Sequence, residues 1–285
     1  MTPPANLPHC RFCGTPLSHT LVDLGTTPLA NAYLTAAEVE AGSDPAFALI
    51  ARVCPSCFLV QVDESLSPQA LFSDYAYFSS YSDSWVAHAG AYADAITARL
   101  ALSPRSQVVE VASNDGYLLR HFADRGIPVL GIEPAANVAA AARAKGLPTE
   151  VAFFGCATAA RLRARGISAD LMVANNVLAH VPDIRDFVGG FRILLAAEGV
   201  ATFEFPHLLN LIAGMQFDTI YHEHFFYLSL LTCERIFAAA GLRVYDVEEV
   251  PTHGGSLRLF VCHEHASHQL SSRLEPIRAK ERLAS

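Results

Sequence analysis

Four consecutive residues, Tyr221, His222, Glu223 and His224, put a phenol, two imidazoles and a carboxylate side by side. Such a set can carry a proton, steer the base that takes it, or ligate a metal. Zinc binding by two histidines of a helix follows an HExxH spacing with further ligands elsewhere, and neither is evident here. A buried hydrogen-bond network is the plain alternative. Spacing leaves the choice between the histidines open. In an extended segment Tyr221 and Glu223 share one face and His222 and His224 the other, whereas a helix or turn breaks that division. The cysteines are more specific. Cys10-Arg-Phe-Cys13 and Cys54-Pro-Ser-Cys57 are two CxxC pairs separated by 40 residues. Each turn can aim two thiolates at one point, and together they complete a tetrahedral zinc shell with no position left for water or substrate, so the ion is structural. A redox pair would want a thioredoxin-like surrounding, which is missing. Cys156, Cys233 and Cys262 stand in apolar surroundings and read as packing residues.

The chain that must position these groups has 285 residues, 52% of them hydrophobic and 17% charged. That is enough for a small domain beside a larger one. A net charge of -8 argues against nonspecific attraction to nucleic acid or an anionic membrane. The opening residues, MTPPANLPHCRFCG, lack a basic stretch followed by an apolar run, and no stretch is apolar for long enough to span a bilayer. A cytoplasmic monomer with neither nucleic-acid nor membrane partners is expected, and seven cysteines, an odd number, suit a reducing compartment.

After Pro104 strands and helices alternate, the pattern of a doubly wound α/β sheet. An apolar strand from Gln107 runs through Glu110 into Ala112-Ser-Asn114-Asp115-Gly116 and then a helix. The next strand, Val129-Leu-Gly-Ile, ends at Glu133-Pro134, about twenty residues later, where a carboxylate can accept hydrogen bonds from both ribose hydroxyls of an adenosine cofactor. The turn has one glycine in place of GxGxxG, which disfavours a pyrophosphate. Glu110, Asn114 and Asp115 would repel phosphate, yet they suit the amino acid tail and sulfonium of S-adenosylmethionine. Gly116, Pro134 and Phe154 are counted with them. The strand from Ala169 leads to Asn175 and Asn176, candidates for the methionine end of the cofactor, and to His180, which could face the transferred methyl. Gly199 to Pro206 reads as the following strand. The plain alternative for Glu110 and Glu133 is a helix cap or a solvated carboxylate.

Taken in order, the paired CxxC, DYAYFSSYSDSW, EVASNDG, GIEP, NNVLAHVPD, EFPHLLNLI, YHEHFFYLSL and HGGSLR give the sequence a resemblance to the sugar C-methyltransferases that act on nucleotide-linked 4-keto-deoxyhexoses in antibiotic biosynthesis. The resemblance implies a class I methyltransferase, Rossmann-like, with a four-cysteine zinc-binding domain over residues 1–70 and an S-adenosylmethionine domain over 71–245. It also implies the beginning, over 246–285, of a C-terminal α/β domain that helps hold the nucleotide sugar, in a natural protein that runs past Ser285. By the same resemblance His224 is the general base, while Tyr221, Glu223 and His180 polarise the ketone, orient the base or contact the sugar. Tyr75, in a stretch with Tyr77 and Tyr81, is implied as a lid phenol; an aromatic cluster between domains is the alternative. Ser256 or Arg258 could contact the substrate, Arg258 through a phosphate, unless Gly254-Gly255 is only a turn before a strand. Two rival functions remain. An O- or N-methyltransferase acting on another small molecule would share everything up to residue 206. A zinc-ribbon binding module would explain neither the Tyr-His-Glu-His run nor the ordered cofactor segments.

Overall fold

The computed structural model describes residues 7–30, 33–42, 44–63 and 78–284. The N-terminal part contains β1 (His19–Pro28), α1 (Ala36–Glu40), β2 (Ala46–Val53) and β3 (Val60–Val62). Then come α2 (Asp83–Leu100), β4 (Val108–Val111), α3 (Leu119–Ala123), β5 (Val129–Ile132), α4 (Ala136–Ala144) and β6 (Thr149–Glu150). They are followed by α5 (Cys156–Ala164), β7 (Ala169–Asn175), α6 (Ile184–Leu194), β8 (Leu195–Pro206) and α7 (Leu208–Ala213). Last are the short β9 (Phe226–Tyr227), α8 (Leu230–Ala239), β10 (Leu242–Val250), β11 (Ser256–His263) and α9 (Leu274–Leu283).

Local chemistry sets several of these limits. Asp183 caps α6 by accepting from the amides of Arg185 and Asp186, and Ile184, Phe187, Val188, Phe191 and Leu194 then fall on one buried stripe at helical spacing. Ser82 caps α2 through the amide of Trp85, and the helix stops where Ala101 turns left-handed. The strands β4 and β11 are buried along their whole length, which explains why they read as apolar runs and not as alternating patterns.

Seven strands form the main sheet, ordered β10-β11-β8-β7-β4-β5-β6. Neighbours from β8 through β6 are parallel, and β11 is antiparallel to both β8 and β10. The expected doubly wound sheet is therefore present, with its order reversing at β4, where β7 and β5 diverge and open a crevice at the strand carboxyl ends. Residue 245 falls inside β10, and β11 slots between β8 and β10, so residues 246–263 finish the cofactor-type sheet. Gly254-Gly255 lies in the hairpin that brings β11 back antiparallel to β10, the turn before a strand that the sequence offered as an alternative.

The small sheet, ordered β1-β2-β3-β9, is antiparallel throughout and takes its last strand from far along the chain. Among the described residues no helix is long and apolar enough to cross a membrane. The helix α9 delivers the buried Glu281 into the junction of β8, α7 and α8. Its carboxylate accepts from the amides of Leu230 and Leu231 at 2.7 and 2.8 Å and meets His207 Nε2 at 2.7 Å. One side chain thus satisfies the first turn of α8 and a buried imidazole together. Replacing it, Glu281→Ala, should lower stability by about 2–4 kcal/mol, because three buried donors lose their acceptor. Thermal denaturation of the variant beside the wild type checks this, and an unmoved midpoint would contradict it.

Candidate active site and metal centre

The two CxxC segments fold into matching knuckles. Cys10 N donates to Thr15 O and Gly14 N to Cys10 O, both at 2.8 Å; Cys54 N donates to Leu59 O and Phe58 N to Cys54 O, both at 3.0 Å. Gly14 and Phe58 occupy the equivalent left-handed position, at φ 76° and 64°. Phe58 is tolerated there with its ring against the Arg235 guanidinium, 5.1 Å away, while Arg235 also donates to Ser56 O. The four Sγ atoms lie within 4.8 Å of one another, with Cys10–Cys57 at 3.6 Å and Cys13–Cys54 at 3.4 Å. A zinc ion with sulfur at about 2.3 Å on each vertex needs Sγ atoms about 3.8 Å apart, so the set fits that ion. The hydrogen bond from Cys57 holds the Cys10 thiol well below its usual range, and the same bond, with burial, pushes Cys57 up. Gln61 Nε2 donates to Cys10 Sγ at 3.3 Å.

The turn after β4 has left-handed residues at every second position: Ala112 at φ 55°, Asn114 at 50° and Gly116 at 79°. Alanine and asparagine thus take conformations that glycine adopts freely, which the single glycine of the sequence conceals. Gly116 itself has no substitute, since a Cβ there would lie 2.2 Å from Leu147 Cδ1. Glu133 at the end of β5 accepts from the amides of Asn114 and Ala135 at 3.0 and 2.9 Å. Asn114 Oδ1 accepts from Ser79 N and Asp115 N, and Asp115 Oδ2 meets Lys145 Nζ at 2.8 Å and the Ser80 hydroxyl. Burial, then the charges of Glu133 and Asp115, raise the Glu110 carboxyl well above its ordinary value. Glu110 Oε2, Asp115 Oδ1, Asn175 Oδ1 and Asn176 Oδ1 are buried with no hydrogen-bond partner among the described residues. Glu110, Asn114, Asp115, Gly116, Glu133, Pro134, Asn175 and Asn176 all stand at or just beyond the carboxyl ends of β4, β5 and β7. Phe154 points elsewhere: its ring packs edge-on against Phe187 at 5.7 Å and Phe191 at 5.1 Å.

Residues 221–224 form a turn, His224 N donating to Tyr221 O at 3.0 Å, and the two histidines take different partners. His222 is buried against the small sheet, with Nε2 donating to Ala48 O at 3.2 Å and its ring edge-on to Phe47. His224 lines a small cavity with Ala179, Phe205, Thr219 and Tyr227. Its Nδ1 donates to Thr219 O at 2.8 Å, so Nε2 carries the lone pair and receives the Tyr221 hydroxyl at 2.8 Å. The His180 ring stands 4.6 Å from the His224 ring, edge to face, and contacts the Glu223 backbone. Burial lowers the His224 pKa to about 4 against the pull of Thr219, with the charge of His253 acting in the same direction as burial; burial and the charge of His224 lower His180 to about 3. Tyr75 and Tyr77 lie outside the described residues. Tyr81 is exposed and stacks on Phe78.

Sequence reasoning passed over a second buried group beside this turn. Glu204, near the end of β8, accepts from Arg258 at 2.6 Å, from Thr252 Oγ1 at 3.0 Å and from His88 Nε2 at 3.0 Å. Burial alone would raise its pKa, but the His88 hydrogen bond and the Arg258 charge outweigh it and hold the carboxyl below its usual value. Arg258 is itself buried and lies over the Tyr92 ring. It is therefore committed to Glu204, and Ser256 Oγ to Thr252 O, so neither is the substrate contact the sequence suggested. Glu204 had a legible signal, an acid ending an apolar strand as Glu110 and Glu133 do; His88, within a helix, had none.

Two outcomes follow from this geometry. One zinc per chain should be found by elemental analysis, and its removal by a chelator should raise amide hydrogen exchange in β3 and across residues 221–227, while β4 to β7 stay protected. Acid should also destabilise the fold early. Because His180 and His224 refuse protons that an unfolded imidazole accepts near pH 6.5, stability is full above that pH and falls as pH drops toward 4. Denaturant titrations at stepped pH measure the slope, and His224→Gln should flatten part of it.

Comparison with known proteins follows the same division of the chain. Residues 10–72 match a family described as "Putative zinc binding domain", and residues 85–247 match a "Methyltransferase domain". The chain is 36% identical over 273 residues to the C-methyltransferase NovU of Streptomyces niveus, covering 96% of this chain and 65% of that protein, so it spans less than two thirds of the relative's length. Solved structures similar to it include magnesium protoporphyrin IX methyltransferase (ChlM) from Synechocystis PCC 6803 with bound SAH, at 15% identity and a TM-score of 0.49 over 63% of this chain and 84% of that one. A S-adenosylmethionine-dependent methyltransferase from Clostridium acetobutylicum ATCC 824 is similar at 12% identity and a TM-score of 0.48 over 61% and 90%. With the methyltransferase family matching more than half of its length, on a seven-stranded sheet of class I order, this chain belongs to the methyltransferase domain family.

Proposed function

We propose that the chain is an S-adenosylmethionine-dependent C-methyltransferase that removes a proton beside the ketone of a nucleotide-linked 4-keto-deoxyhexose and methylates that carbon. The observation that carries this is the His224 tautomer: with Nδ1–H spent on Thr219, Nε2 is left as a fixed, neutral, partly buried lone pair. Transfer to carbon requires a base to remove the carbon-bound proton, and an imidazole held this way supplies one. The similarity to a protein named a C-methyltransferase supports the same reading.

The crevice suits the cofactor. The four unpaired buried oxygens of Glu110, Asp115, Asn175 and Asn176 complement an ammonium and a sulfonium, and Glu133 suits ribose hydroxyls. When bound, S-adenosylmethionine supplies an electrophilic methyl group. The residues of the chain do the rest. His224 Nε2 takes the proton from the acceptor carbon, the electron pair left behind forms the enolate, and Tyr221 passes its hydrogen bond from Nε2 to the substrate side. His180 and the Glu223 backbone keep the base in place. Cys10, Cys13, Cys54 and Cys57 would hold zinc for structure alone, since four thiolates leave no open position.

The test is a mass-spectrometric assay of the protein with S-adenosylmethionine and a panel of thymidine-diphosphate 4-keto-6-deoxyhexoses, run in D2O with and without cofactor. One sugar should gain a methyl, and deuterium should enter its carbon without cofactor. Both should be lost in His224→Asn. Methyl gain on a hydroxyl or amine with no deuterium entry would instead establish the O- or N-methyltransferase reading.

A further inference from the structure

The hairpin between β10 and β11 contains three successive residues with left-handed φ: His253 at 51°, Gly254 at 77° and Gly255 at 111°. Two of these are accounted for by packing, because a Cβ on Gly254 would lie 2.3 Å from the Gln216 amide and one on Gly255 would lie 2.5 Å from that of Asn210. Histidine has no such reason to be there, and a side-chain-bearing residue is disfavoured in that conformation. The turn is nevertheless held on several sides. Gln216 Nε2 donates to Gly254 O at 3.1 Å, Ser256 Oγ to Thr252 O at 2.9 Å, His207 N to Gly255 O at 3.0 Å, and Thr252 Oγ1 to Glu204 at 3.0 Å. A strained residue clamped in this way is presented for use.

Its ring stands edge-on to Trp85, 5.4 Å between centroids, and Trp85 stacks in turn on His88 and Tyr117. No hydrogen bond of the protein engages the His253 nitrogens among the described residues. The residue is solvent-exposed, yet desolvation is the main cause that lowers the pKa of its ring, and its charge, if present, would act on His224. The imidazole thus lies within electrostatic reach of His224, Glu204 and His88. A partner for the enolate oxygen is chemically required, since the burial that keeps His224 neutral also makes it a weak base, and the ketone must be made more acidic to compensate.

We propose that His253 is a catalytic residue that donates an imidazole N–H to the carbonyl oxygen of the acceptor, opposite His224. As His224 takes the carbon-bound proton, the C–H electrons form the C=C bond, the carbonyl electrons move to oxygen, and the His253 hydrogen bond strengthens on the oxyanion without itself transferring a proton. This role rests on the C-methyltransferase reading. It is tested with His253→Asn, which tolerates the left-handed turn but is too short to reach, and His253→Gln, whose longer amide restores a donor. In the asparagine variant kcat should fall about 100-fold, with deuterium entry slowed in parallel and KM, cofactor affinity and thermal midpoint unchanged, and the glutamine variant should recover part of the rate. An asparagine variant with wild-type kcat, or one that raises only KM, would overturn it. If the wild type neither exchanges nor methylates, the underlying reading falls and this role with it, a pattern distinct from a wild type that works beside a variant that works as well.

Discussion

Gln61 joins the four-cysteine shell to the segment that carries the turn at residues 221–224. Its side chain donates to Cys10 Sγ and accepts from Arg11 N, while its backbone lies opposite Phe226 in the β3–β9 ladder, two residues beyond His224. The residue is almost fully buried, so these bonds exchange little with water and gain strength from low dielectric surroundings. The reach of the connection is widened by Val62 N on Phe225 O, by Arg11 over the rings of Phe225 and Phe226, and by His222 on Ala48 O. In the proposed reaction His224 must meet a carbon-bound proton, and such a step tolerates little displacement. The placement of His224 depends on a four-sulfur knuckle at the other end of the sequence.

The crevice itself divides by charge. Toward β4 and β5 the acids Glu110 and Asp115 keep oxygens with no hydrogen-bond partner among the described residues, a condition suited to an incoming cation. Toward β8 and β11 the acid Glu204 is saturated by arginine, histidine and threonine, so that half is close to neutral and can host a group that develops negative charge only as it reacts. Two buried carboxylates at the ends of two strands of one sheet therefore serve opposite ends, and the difference lies in who faces them.

The main strands, the acids near the ends of β4 and β5 and the cysteine shell were legible because each follows from local pattern: apolar runs ending in an acid, and CxxC at a spacing that closes a tetrahedron. What was hidden depends on pairing over distance. Nothing near Phe226 marks it as the edge of a sheet made by residues 19–62, and nothing near Ser256 shows that its strand inserts beside β8. The same limit applies to His222 and His224, adjacent in type and separated only by which side of a turn each takes. Arg258 looked like a phosphate ligand because a lone arginine after Gly-Gly advertises its charge and not the buried acid that consumes it. The backbone of residues 112–116 was misleading for another reason, since alanine and asparagine occupy left-handed positions that composition assigns to glycine.

The late arrival of β9 also governs how the molecule comes into being. During synthesis the cysteine knuckles emerge first, yet the sheet they anchor lacks its fourth strand until residues 226–227 have been made, and the main sheet lacks its middle antiparallel strand until residue 263. Contacts of such separation close slowly. The nascent N-terminal segment must therefore wait with an open sheet edge, a surface prone to pairing with other chains. Early capture of metal by the paired thiolates would fix β2 and β3 in register during that wait, making the knuckle a holding clamp for an unfinished protein as well as a brace for the finished one.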